Sequence, residues 1–177
     1  MTALTDLKKG AVETTISGPW KVNFPPNWGA PASVVFDQLI SWTASENTGI
    51  KYFSGTAVYH NSFKLSDGAG KKTILLNLGD LRDVAEVFVN GKSAGILWKK
   101  PYLVDISQLV QPGTNDLKIE IVNLWINRLT GDMLLDPKDR FCKTNQSYMT
   151  SEIWPGGDEP FRIQPAGLLG PVTLIER

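Results

Sequence analysis

Between Lys51 and Asn123 the chain alternates apolar and polar residues in short runs broken by turn residues. Leu117, Ile119 and Ile121 alternate with Lys118 and Glu120, which is the pattern of a strand with one buried and one wet face. Ala57, Tyr59 and Phe63 share one face of a second run, with Thr56, His60 and Ser62 on the other. Ile74, Leu76 and Leu78 mark a third run, and Ala85, Val87 and Val89 a fourth. Asn90-Gly91 follows directly and favours a tight type I′ hairpin, because both central residues need positive φ. Pro112-Gly113 sets another turn. Many short strands separated by turns cannot bury their faces singly, so two antiparallel sheets must pack on each other. The expected fold is all-β, a jelly-roll β-sandwich of two antiparallel sheets.

The flanking sequence extends that pattern. Trp20, Val22 and Phe24 alternate until Pro25-Pro26 ends the strand, since proline cannot donate to a ladder. Ser33 to Phe36 reads as a short strand, and Gly170 to Glu176 as the last one. Asp105 and Ser107 are placed to cap a short helical turn over 106–109. Residues 1–16 are weakly patterned and read as an N-terminal tail or an edge strand. Residues 17–177 read as one β-sandwich domain, a length sufficient for a full core. The exception is 125–164, rich in Asp, Asn, Gly, Pro and aromatics with little periodicity. A structureless run of that length is unusual in a compact domain and is where binding residues tend to sit.

Composition excludes several functions. Lys+Arg and Asp+Glu are both 18, so the basic excess or stripe of a nucleic-acid binder is missing. No apolar run reaches the length of a membrane span, and MTALTDLKKG lacks a signal-peptide pattern. The single cysteine, Cys142, has no internal disulfide partner and no Cys/His ligand spacing around it; it reads as a partly buried thiol. His60, the one histidine, reads as a wet strand residue. No nucleophile elbow, phosphate loop, dinucleotide fingerprint or zinc motif is present. The loop acids Asp136, Asp139, Asp158 and Glu159 have no context that marks a catalytic pair. A metal ligand set is unknown from sequence. A structural calcium stays open, with Asp80, Asp83, Asp136, Asp139 and Asp158 as oxygen donors.

Six tryptophans are a high count for 177 residues. Trp20 and Trp42 fall at core positions. Trp98, Trp125 and Trp154 fall in or near loops, either as platforms for the C–H face of a sugar ring or as plugs folded back on the core. Tyr102 follows Trp98 closely. Asn127, Arg128 and Asp132 open the long loop. Arg128 either grips a carboxylate or hydroxyls with its planar fork, or pairs with Asp132 and pins the loop. These seven, Trp98, Tyr102, Trp125, Asn127, Arg128, Asp132 and Trp154, are the candidate sugar-binding residues.

Several blocks also resemble a known family. Leu39-Ile40-Ser41-Trp42, Lys51 to Tyr59 (KYFSGTAVY), Val87 to Gly95 (VFVNGKSAG), Asp105-Ile106 and Gly113 to Leu117 (GTNDL) resemble, in order, the sugar-binding, galactose-binding-like sandwich of large glycoside hydrolases. Asn123 to Asp132 (NLWINRLTGD) and Gly167 to Val172 (GLLGPV) are similar to the C-terminal sandwich of the bacterial α-L-rhamnosidases of glycoside hydrolase family 106. The resemblance implies a galactose-binding-like fold without catalytic residues, accompanying a catalytic barrel in a secreted or periplasmic enzyme that degrades polysaccharide. On that basis the expected function is a non-catalytic carbohydrate-binding module with no cofactor. Its partners are a plant polysaccharide or oligosaccharide and the catalytic domain of a parent enzyme. The alternatives are a purely structural sandwich packed on that domain, which requires an exposed apolar patch, and a small stand-alone glycosidase.

Overall fold

The computed structural model describes residues 10–66, 72–143 and 163–177. Its strands are β1 (Val12–Thr15), β2 (Trp20–Asn23), β3 (Ser33–Phe36), β4 (Thr56–Leu65), β5 (Ile74–Asn77), β6 (Asp80–Arg82), β7 (Val84–Val89), β8 (Lys92–Leu97), β9 (Leu103–Asp105), β10 (Gly113–Val122), β11 (Gly167–Gly170) and β12 (Thr173–Glu176). They form a six-stranded antiparallel sheet in the order β3-β2-β4-β10-β7-β8 and a four-stranded one in the order β1-β12-β5-β9. β11 and β6 form a separate antiparallel pair. This is the two-sheet sandwich that alternation requires.

The sheets meet through the apolar faces read from sequence. Across β4, β10 and β7 the rows Tyr59–Ile119–Val87 and Ala57–Ile121–Ala85 are in register and fully buried. The row between them, Val58–Glu120–Glu86, turns outward and carries the charges. Lys118 lies between His60 and Phe88 on that outer face, its ammonium 3.7 Å from the Phe88 ring centre. A period of two fixes register here, because a one-residue slip would put lysines in the core. Asn90 and Gly91 both take positive φ, 50° and 79°, so the hairpin turn is of the expected type.

An aromatic cluster fills one end of the core. Trp42, Phe24 and Phe53 pack edge to face with centroids 4.8–5.8 Å apart, and Trp42 stacks on Tyr59. Trp20 and Trp42 are core residues, as their positions imply.

Two local readings change. Residues 106–109 form a hydrogen-bonded turn rather than helix, with the Asp105 carboxylate accepting from the Ser107 N–H and hydroxyl. A short helix, α1 (Thr48–Lys51), capped by the Asn47 side chain, lies between β3 and β4. The run after Asn123 opens with a two-turn helix, α2 (Ile126–Met133). Among the described residues no helix is long and apolar enough to cross a membrane. Residues 12–15 are an edge strand of the smaller sheet, paired to β12.

Candidate functional site

Helix α2 sits where β10 leaves the large sheet. It has no side-chain cap of its own, and Trp125 occupies the cap position. One of its free N–H groups is satisfied from elsewhere: the Ser54 hydroxyl accepts from Arg128 N–H at 3.0 Å and donates to Leu124 O at 2.8 Å. Gly131 lets the helix approach Tyr52, because a Cβ there would lie 2.5 Å from the Tyr52 Cβ. Asn123 ties the strand end to the same segment, accepting from Gly55 N–H and donating to Phe53 O.

The polar candidates of this region face inward. Arg128 is buried, and its Nε and Nη2 both donate to Tyr52 O, at 3.0 and 2.7 Å. Its Nη1 lies 3.6 Å from Asp132 Oδ1, an ion pair one helical turn on. Asp132 Oδ2 accepts from Cys142 N–H at 2.8 Å, and Asp132 O accepts from Arg140 Nε. Asn127 makes a two-way bond with the Gln164 backbone. Tyr102 is buried beside β5. The expectation that Tyr102, Asn127, Arg128 and Asp132 reach a sugar is therefore corrected. Burying amide and charged groups demands internal partners: Asn127 and Arg128 have hydrogen bonds, and Asp132 has one through Oδ2 while its buried Oδ1 has, among the described residues, only the 3.6 Å ion pair with Arg128. Of the two roles open to Arg128, the structure adopts the one that pins the loop. Burial lowers the Arg128 pKa, and the Asp132 carboxylate opposes that shift. Burial also raises the Cys142 thiol, with the Asp132 carboxylate adding to it.

The aromatic candidates divide. Trp125 is 56% exposed and Trp98 65% exposed, so neither is folded back on the core as a plug; Trp154 lies outside the described residues. Trp125 lines an open cleft of about 390 Å³ with Trp28, Leu129, Phe141, Cys142 and Lys143, and Trp98 is not in it. Trp28 and Trp125 meet edge to face at 6.0 Å, and Trp28 and Phe141 at 6.2 Å. Trp28 is held by Nε1–H donating to Ser54 O. Phe141 is held over the Arg128 guanidinium at 4.6 Å. The buried latch thus orients two of the cleft's rings without touching its space.

Trp28 and Phe141 are the residues missed by sequence reading. Trp28 follows Pro25-Pro26-Asn27, where Asn27 and Gly29 both take positive φ; that turn signal was the available pointer. Phe141 carries no local signal, because its place depends on Arg128.

Trp98 belongs to a different surface. Ile96 on β8 is in register with Glu86, and Val122 on β10 with Val84. Trp98 follows Ile96 by two residues, and Leu124 follows Val122 by two. Ile96, Trp98, Val122 and Leu124 are all exposed, so one corner of the outer sheet face breaks the polar alternation. Nearby, Asp80 bridges Arg82 and Lys100, and Asp83 accepts from Leu124 N–H. Among the described residues no three His, Cys, Asp or Glu side chains stand together as a metal site; Asp158 lies outside them.

Residues 41–141 match the family model described as glycosyl hydrolase 2 galactose-binding domain-like. A Formosa agariphila protein named "Putative beta-glucuronidase" is 37% identical over 96% of this chain and 16% of its own length. The structure of a rhamnosidase from Novosphingobium sp. PP1Y superposes with a TM-score of 0.82 at 38% identity, over 94% of this chain and 15% of that one. A Ruminococcus gnavus beta-glucuronidase shares the fold at a TM-score of 0.63 and 20% identity, over 94% of this chain and 28% of that one. The chain thus spans about one sixth of the length of the first two relatives. It belongs to the galactose-binding-like β-sandwich domains of glycoside hydrolases.

Proposed function

We propose that this domain is a non-catalytic, carbohydrate-binding accessory module of a polysaccharide-degrading glycoside hydrolase of the rhamnosidase or glucuronidase kind. The observation that carries the reading is the cleft walled by Trp28, Trp125 and Phe141. Its volume falls in the range of small-ligand sites, roughly 300–1,000 Å³, and its rings offer apolar faces to the C–H face of a pyranose. The proposed parent enzyme is exported, and its catalytic acids lie in another domain.

Calorimetric titration of the folded chain with rhamnose-rich pectin fragments and other plant oligosaccharides tests this. Binding is expected, with tryptophan fluorescence changing, and Trp125→Ala is expected to weaken it by about fivefold to thirtyfold, the scale of one lost aromatic contact of about 1–2 kcal/mol. An intact wild-type fold that shows no heat and no fluorescence change at millimolar sugar would falsify the proposal.

A second reading is a sandwich that packs on its catalytic domain. The exposed corner of Ile96, Trp98, Val122 and Leu124 favours it, because contiguous apolar surface of this kind marks interaction sites. The corner and the cleft are separate surfaces, so both roles fit one domain.

A further inference from the structure

Asn90-Gly91 is the one Asn-Gly pair in the sequence, and it carries a chemical hazard as well as a turn. Glycine has no side chain to shield its amide nitrogen, so that nitrogen can attack the side-chain carbonyl carbon of the asparagine before it. Gly91 is exposed, and a Cβ there would meet nothing within 4 Å. The Asn90 side chain, by contrast, is held. Its Nδ2 donates to Leu109 O at 2.9 Å and to Asn115 Oδ1 at 2.8 Å, and its Oδ1 accepts from Asp116 N–H at 3.0 Å. All three partners lie on the 109–116 segment that enters β10. Asn115 cannot adjust to a changed neighbour. It is fully buried; its Oδ1 also accepts from Gln111 N–H, and its Nδ2 donates to Gln111 O and Gly113 O. Turning its amide over to offer Asn90 a donor would break those three bonds.

While its own bonds hold, the Asn90 amide cannot swing onto the Gly91 nitrogen. We propose that Asn90 is a site of spontaneous deamidation, gated by opening of the β7–β8 turn, and that the product unlocks the 109–116 segment. In the opened turn the Gly91 amide nitrogen, losing its proton to hydroxide, attacks Asn90 Cγ. The Cγ–Nδ2 bond breaks, and the amide group leaves as ammonia after taking a proton from water. The succinimide so formed adds water across one of its two C–N bonds and opens to aspartate or to isoaspartate. No oxidant or reductant takes part. The new carboxylate has no N–H for Leu109 O or Asn115 Oδ1, and it sets a negative charge against both oxygens. Isoaspartate also adds a backbone carbon to the two-residue loop between Val89 and Lys92, whose length fixes the hairpin register.

Peptide mapping by mass spectrometry at pH 8 follows the reaction in the folded chain and in the same chain unfolded in guanidinium chloride. Deamidation at Asn90 is expected in both. It should be roughly a hundredfold slower in the folded chain, the factor that goes with breaking three ordinary hydrogen bonds to open the turn. The aged protein, folded before it reacts, separates from its parent on anion exchange by the added negative charge. Its urea midpoint should be lower than the parent's, and hydrogen exchange at the Gln111 and Asp116 N–H groups should be faster. Asn90→Asp made directly should show the same lowered midpoint; if that variant does not fold, the aged protein decides. Equal rates in the folded and unfolded chains overturn the gating. An unfolded chain that keeps its Asn90 amide overturns the site. An aged product with the parent's midpoint and exchange overturns the lock.

Discussion

Tyr59 joins the two sheets' contents at a single oxygen. The Trp42 indole N–H and the Leu168 backbone N–H both donate to its hydroxyl, and all three groups are buried. Tyr59→Phe keeps the ring and removes the acceptor, leaving two buried donors without a partner. The expected loss is about 1–3 kcal/mol, read as a lower urea midpoint with an unchanged slope. The same burial holds the phenol well above its ordinary pKa of 10.0. Above pH 10 the unfolded phenol releases its proton while the folded one retains it, so the native state binds more protons and its stability falls as pH rises. In urea titrations repeated from pH 9 to 11, Tyr59→Phe should lose stability less steeply than wild type. Parallel slopes would show that Tyr59 is not the group responsible. Tyr59 itself was readable from sequence as an inward strand residue. The identity of its donors was not, since they lie 17 and 109 residues away.

At the scale of elements, the strands and α2 contrast. Strands β4, β7 and β10 carry their own pattern, so their faces and the Asn90-Gly91 turn were legible in advance. Helix α2 was read as loop, because its cap is Ser54 and its fit depends on Tyr52; neither signal is local. The ion pair Arg128–Asp132, one of the two roles the sequence leaves to Arg128, is buried. Arg128→Met should cost about 3–5 kcal/mol, because Asp132 is left as a buried charge without its partner. Adding Asp132→Asn to that variant should recover part of the loss, so that the double variant is more stable than the two single losses summed. Arg128→Lys should not rescue, since one ammonium cannot reproduce the fork on Tyr52 O. Chemical denaturation of the four proteins measures this coupling; strict additivity would mean the pair contributes nothing.

For the whole molecule, the large sheet has one buried face and one outer face that changes character along its length. Around His60, Lys21 and Lys118 it is charged. At the corner of Ile96, Trp98, Val122 and Leu124 it is apolar and open. Core residues lose stability when made polar, but these touch little in the folded chain. Trp98→Ser and Leu124→Ser together should change the melting midpoint by little, within about 0.5 kcal/mol per site, while reducing binding of an apolar dye and raising solubility in concentrated salt. A large drop in stability would instead make the corner part of this domain's own core.

Sandwich architecture followed from period-two alternation, because burying one face of every strand leaves few arrangements. Membership among glycoside-hydrolase sandwiches followed from the order of its motif blocks, each of them local. The binding surface did not follow. Side chains that look suited to a sugar, Asn127, Arg128 and Asp132, proved to be internal braces. The rings that shape the cleft, Trp28 and Phe141, come from opposite parts of the chain. Whether a polar or aromatic side chain faces solvent or a backbone carbonyl depends on which distant segment packs beside it, and no local pattern records that choice.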